Sequence, residues 1–119
     1  MKYMMLVYSP ESAWTEAETQ FCYEESTRLC HELQAKGQYV AASPLHPVAT
    51  ATSVRLREGK QMVTDGPFAE TYEQLGGYFM VHANILDEAI AIAARIPAAK
   101  KGTIEIRPVM ELQDLPLLD

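Results

Sequence analysis

The sequence predicts an α+β fold of ferredoxin-like type: a β-α-β repeat with an inserted hairpin, an antiparallel sheet, and both helices on one face. Three observations carry this. Segments of strand and helix periodicity follow one another in the order strand, helix, strand, hairpin, strand, helix, strand. Two short alternating runs flank Glu58-Gly59-Lys60. The runs Tyr3-Met4-Met5-Leu6-Val7 and Tyr78-Phe79-Met80-Val81 are apolar on both faces, as central strands with covered faces require. At 119 residues the chain forms one domain, 1–119, large enough to hold a core without disulfides or metals.

Each element has its own justification. Lys2 to Tyr8 reads as a buried strand. Ser9-Pro10 ends it, and Thr15 to Lys36 contains helix formers without Pro or Gly. There Phe21, Cys22, Leu29, Cys30 and Leu33 recur at helical spacing, and Gly37 provides the stop. Tyr39 to Ala42 is a short strand, followed by Ser43-Pro44-Leu45-His46-Pro47, where two prolines exclude helix. Ser53 to Arg57 alternates, with Val54 and Leu56 on one face and Arg55 and Arg57 on the other, and Gln61 to Thr64 returns as the second hairpin arm. A strand from Gly77 to Ala83 precedes a helix capped by Asn84 or Asp87, with Leu86, Ile90, Ala93 and Ala94 as its inner stripe before Pro97. Thr103 to Val109 is the last strand, and 112–119 is a tail.

Helices cover one face of such a sheet. The other face would present the apolar side chains of both central strands to water, and a contiguous patch of that kind predicts a two-fold dimer in which the sheets meet.

Composition excludes several classes. A formal charge of −6, with the basic residues scattered apart from Lys100-Lys101, argues against nucleic-acid binding, which needs a basic stripe. No run approaches the roughly 20 apolar residues of a membrane span, and Ser9-Pro10-Glu11 cuts the apolar start short of a signal sequence. A cytoplasmic protein is expected. Cys22 and Cys30 lie eight apart in one helix, about 12 Å at 1.5 Å per residue, beyond disulfide reach. The histidines and cysteines lack the close pairs of structural zinc sites, and no phosphate loop, dinucleotide fingerprint or nucleophile elbow occurs, so neither metal nor cofactor is expected.

The chemistry-bearing candidate is Asp65, in Val63-Thr64-Asp65-Gly66-Pro67-Phe68. A carboxylate at a strand end beside an apolar sheet suits general acid or base work, with His46 in its proline-flanked loop as partner. Equally, Asp before Gly is a turn signal, with the carboxylate bonding backbone amides while Phe68 anchors the turn in the core. Tyr8, Tyr78 and Met80 are expected to line a core or cavity. His82 points into the barrel or pairs across strands. Arg55 can hold a carboxylate ligand by its planar fork, whereas Glu105 and Arg107 share a face as a charge pair.

Thr50-Ala51-Thr52-Ser53-Val54-Arg55, Val63 to Thr71, Glu73-Gln74-Leu75-Gly76-Gly77-Tyr78, Asp87-Glu88-Ala89, Ala94-Arg95-Ile96-Pro97 and Glu105-Ile106-Arg107-Pro108-Val109 together resemble the DGPF branch of the YCII-related proteins. The resemblance implies a dimeric α/β barrel. It further implies two kinds of function: lyase-like enzymes acting on small aromatic-derived substrates, and partners associated with sigma factors. The wider family is proposed to use a His and Asp pair with the His on the first helix; His31 here departs from that position. Two functional readings follow. One is cofactor-independent proton transfer by Asp65 and His46 on a small aromatic or carboxylated molecule in the dimer cleft. The other is a non-catalytic ligand-sensing or regulatory module, linked to a sigma factor.

Overall fold

The structure, a computed structural model, describes residues 1–116. Its elements are β1 (Lys2–Ser9), α1 (Glu16–Ala35), β2 (Tyr39–Pro44), β3 (Thr52–Arg57), β4 (Lys60–Asp65), β5 (Gln74–His82), α2 (Leu86–Ala93) and β6 (Thr103–Pro108). Four strands form one antiparallel sheet in the order β2-β5-β1-β6, and β3-β4 form a separate two-stranded ribbon. This is the predicted β-α-β repeat with its inserted hairpin. Of the tail expected over 112–119, residues 112–116 are described and carry no regular element.

The pleat sorts the side chains. Tyr3, Met5 and Val7 of β1 and Phe79 and Val81 of β5 are buried together with Leu29 and Leu33 of α1 and Ala89, Ile92 and Ala93 of α2, which makes the core between sheet and helices. Met4, Leu6, Tyr78 and Met80 occupy the opposite face, with Met4 opposite Met80 and Leu6 opposite Tyr78. These four are half-buried, and on β6 their neighbours are Arg107 beside Met4 and Glu105 beside Leu6, an ion pair at 3.4 Å.

Thr15 caps α1 in a reciprocal box: its hydroxyl accepts from the Glu18 N–H at 3.1 Å while a Glu18 carboxylate oxygen accepts from the Thr15 N–H at 2.9 Å. Glu18 also holds Lys101, Nζ to Oε2 2.7 Å, and Lys101 lies 4.8 Å from the centre of the Trp14 ring. The Lys101 hydrogen bond, aided by the Thr15 amide, lowers the Glu18 carboxyl from 4.5 to about 2. A depressed acid contributes stability above its unfolded value and loses it as pH falls through the folded one. Glu18→Gln keeps the capping geometry and removes the charge. The gap in melting temperature between wild type and Glu18→Gln should therefore be full above pH 4.5 and close as pH approaches 2, followed by circular dichroism; a gap independent of pH would contradict the assignment.

Four local expectations are corrected. Ile85 occupies the N-cap position of α2 with no side-chain cap, so neither Asn84 nor Asp87 has that role. The inner stripe of α2 is Ala89, Ile92 and Ala93, while Leu86 and Ile90 are exposed, because the helix turns its i, i+3, i+4 face beginning at Ala89 toward the sheet. Phe21, placed on the inner stripe of α1, is exposed. Phe68 is 80% exposed and anchors no core, since the chain after β4 runs over the surface.

The β3-β4 ribbon is an arm. Its tip, Glu58-Gly59, has φ of 51° and 76°, the left-handed pair of a two-residue hairpin turn. At its base the Gly66 N–H donates to Ala51 O at 2.7 Å, and Gly66 has φ 104°. The arm's pairing puts Val54, Leu56 and Val63 on one face, and all three are exposed. The radius of gyration is 16.1 Å, against about 13.5 Å for a compact chain of this length.

Candidate functional site

A cleft of about 370 Å³ lies between the N-terminal two-thirds of α1 and the β2-β5-β1 side of the sheet. It exists because both walls are built from small residues. The stripe of α1 at helical spacing that faces it includes Thr19, Cys22, Ser26 and Cys30, whereas the large inward residues, Leu29 and Leu33, stand further along the helix. The sheet wall is Ala42 and Ser43 of β2 and Gly76 and Gly77 of β5. A Cβ on Gly77 would stand 2.9 Å from Ser43 O, so the glycine permits β2 to approach β5. Gly76 and Gly77 thus stand inside β5, which begins at Gln74.

Aromatic rings, Trp14, Tyr23 and Phe79, add apolar surface to this lining. Trp14 is held by its Nε1–H donating to Ser9 Oγ at 3.0 Å. At the mouth the Leu45 N–H donates to Gly76 O at 2.9 Å, which ties the proline-flanked loop to β5. Burial raises both thiols above their ordinary value, and at Cys22 the neighbouring Glu18 charge adds to it. Neutral thiols are poor nucleophiles, so neither cysteine is set up for covalent catalysis.

A second hollow, between the end of α1 and α2, is lined in part by Glu32, Gln38, Glu88 and Arg95. Its polar groups are occupied by one another: Arg95 bonds Glu32, whose carboxyl is thereby lowered, and Gln38 Nε2 donates to Glu88 Oε1 at 2.8 Å.

The family model of the YCII-related domain matches residues 1–113. The chain belongs to the YCII-related family. It is 37% identical to an uncharacterized protein of Rhizobium meliloti (strain 1021) over 121 residues, 92% of each chain. It is also similar to a solved structure, 5-chloro-2-hydroxyhydroquinone dehydrochlorinase from Burkholderia phenoliruptrix AC1100 in complex with 2,5-dihydroxybenzoquinone. That similarity covers 95% of this chain and 97% of the other, at 10% identity and a TM-score of 0.49.

In this YCII-related protein the residues singled out from sequence fall in separate places. Tyr78 borders the cleft where β5 passes it, but its side chain belongs to the opposite face of the sheet with Leu6; Tyr8, Arg55, Asp65, Met80, His46 and His82 lie outside the lining. His46 is exposed, although its neighbours Leu45 and Pro47 line the mouth. Asp65 ends β4 opposite Thr52, which by alternation sets it on the same face of the arm as Val54, Leu56 and Val63. Among the described residues no hydrogen bond or ion pair reaches its carboxylate; the turn is held instead by the Gly66 amide and by Ser53 Oγ donating to Gly66 O at 2.8 Å. The turn reading of the Asp65 side chain is thus replaced by a backbone device. Arg55 stands on the other face with Arg57, opposite Met62. Met80 belongs to the open face of the sheet, and His82 is exposed opposite Lys2.

Among the described residues no group of three or more His, Cys, Asp or Glu side chains is placed to hold a metal ion. Among those residues no helix is long and apolar enough to cross a membrane. The cleft itself was missed from sequence. Its signal was present in the small, polar inward stripe Thr19, Cys22, Ser26 and Cys30, set against Ala41-Ala42-Ser43 and Gly76-Gly77.

Proposed function

We propose that this chain is a DGPF-type YCII-related protein whose function is to bind a small molecule in the α1–sheet cleft, acting as a homodimer. The cleft carries the reading: 370 Å³ of largely apolar space with a few polar groups at its rim is the form of a small-ligand site. Neither Asp65 nor His46, the expected acid–base pair, lies in it, so the non-catalytic, ligand-sensing option suits it better than that chemistry.

The dimer rests on two apolar surfaces of one chain, the open face bearing Met4, Leu6, Tyr78 and Met80 and the arm bearing Val54, Leu56 and Val63. A second copy covering both would complete the barrel. Asp65 shares the arm's apolar face, so the surface that covers the arm also desolvates Asp65. Lyase-like proton transfer by Asp65, with His46, belongs to that assembled state as a second reading.

One experiment separates these. Ser26→Trp places an indole in the cleft, and a panel of small molecules is screened by thermal shift and by turnover on wild type, Ser26→Trp and Asp65→Asn. The expected result is a set of stabilising compounds whose effect disappears in Ser26→Trp and persists in Asp65→Asn. Stabilisation that survives Ser26→Trp would remove the cleft from the function, and Asp65-dependent turnover would move the assignment to the second reading.

A further inference from the structure

The charge around the cleft defines what it can accept. Among its lining residues Glu11 is the one formally charged side chain. It is fixed at the mouth from both sides: Oε2 accepts the Val48 N–H at 2.9 Å, and the Glu11 N–H donates to Gln74 Oε1 at 2.9 Å. Gln74 is itself pinned, its Nε2 donating to Thr71 O at 2.7 Å. The second carboxylate oxygen, Oε1, has no hydrogen-bond partner among the described residues.

No cation balances this within the lining. Lys101, the cation beside Trp14, is outside it, and its ammonium is bound to Glu18 Oε2 at 2.7 Å and Ala13 O at 2.9 Å. An anion entering the cleft would give up water for apolar walls and meet a carboxylate at the rim, while the cation beside Trp14 is already neutralised by Glu18. A donor group at the mouth would meet a carboxylate with one oxygen free to accept it.

Resting on the reading of the cleft as a ligand site, we infer that it takes a largely apolar, aromatic or aliphatic molecule whose polar end is a neutral or cationic hydrogen-bond donor directed at Glu11. Carboxylates and phosphates are rejected. This narrows the ligand class from aromatic or carboxylated molecules to those without an anionic group.

Trp14 is the only tryptophan of the chain and lines the cleft, so its emission reports occupancy. Three probes of matched body are titrated against the full chain, excited at the red edge of the indole band: 4-phenylbutylamine, 4-phenylbutanol and 4-phenylbutyrate. The amine and the alcohol should change Trp14 emission saturably, with 4-phenylbutyrate at least about tenfold weaker than the alcohol. Glu11→Gln keeps an acceptor for the Val48 N–H; it should bring the amine to the level of the alcohol and leave the alcohol unchanged. Binding of 4-phenylbutyrate as tight as that of the alcohol, or an amine preference untouched by Glu11→Gln, would overturn the inference while leaving the cleft as a ligand site. Absence of a saturable response to all three would remove both.

Discussion

Gly102→Ala should unfold this protein about 10 °C below the wild type. A Cβ at Gly102 would stand 1.9 Å from Tyr8 O and 2.8 Å from Ser9 Cα. Both are backbone atoms and cannot rotate away as a side chain would, so β1 and the segment leading into β6 must separate. Overpacking that moves backbone costs about 3 kcal/mol, which corresponds to a shift of that order in a domain of this size. The damage should extend to the cleft, because Ser9 lines it and accepts the Trp14 indole hydrogen bond. Gly37→Ala is the control: its Cβ meets nothing within 4 Å, but φ is +71°, so only the left-handed backbone penalty of about 1 kcal/mol applies. Thermal melts of the two variants decide it; a Gly102→Ala loss no larger than that of Gly37→Ala would contradict the steric argument.

In the proposed homodimer, Leu56→Asp should give a monomer without lowering the stability of the single chain. Leu56 is 67% exposed near the tip of the arm and makes no part of the core. Its replacement therefore costs the monomer little. On the apolar face shared with Val54 and Val63 it places a charge that an interface would have to desolvate unpaired, and several kcal/mol of association are lost that way. Light scattering over a concentration series checks this. A monomeric wild type, or a Leu56→Asp protein that stays dimeric, would reject the arm as a dimer element. Arg55→Asp, on the opposite face of the same strand, is the matched control and should leave the mass unchanged.

Fold legibility and site legibility differ sharply in this chain. Period and punctuation sufficed for the strands and helices, because Pro10, Gly37, Pro44, Pro97 and the Glu58-Gly59 turn act within a few residues of themselves. Short-range patterns were less reliable where burial decided the outcome. Phe68, Phe21, Leu86 and Ile90 are apolar and yet exposed, since a large side chain is buried only if another element arrives to cover it. Asp65 was legible as a carboxylate at a strand end. Whether it bonds the turn depended on the Gly66 amide, which reaches Ala51 instead.

The site was hardest to read because a cleft is a relation between walls. Thr19, Cys22, Ser26 and Cys30 look like an indifferent helix face, and Ala42-Ser43 and Gly76-Gly77 like ordinary strand residues. Only when α1 is set across β2 and β5 by Leu29 and Leu33 do these small side chains oppose one another and leave space.

Local chemistry along the chain was enough to establish the order of elements, the alternation of the hairpin and the family resemblance, because each depends on neighbours in sequence. Tertiary packing alone decided three things: that a cleft opens between α1 and the sheet away from Asp65 and His46, that Glu11 stands at its mouth, and that the arm leaves the body with an apolar face uncovered. Those outcomes depend on residues tens of positions apart meeting in space, and the free energy of such contacts is not encoded in any one segment.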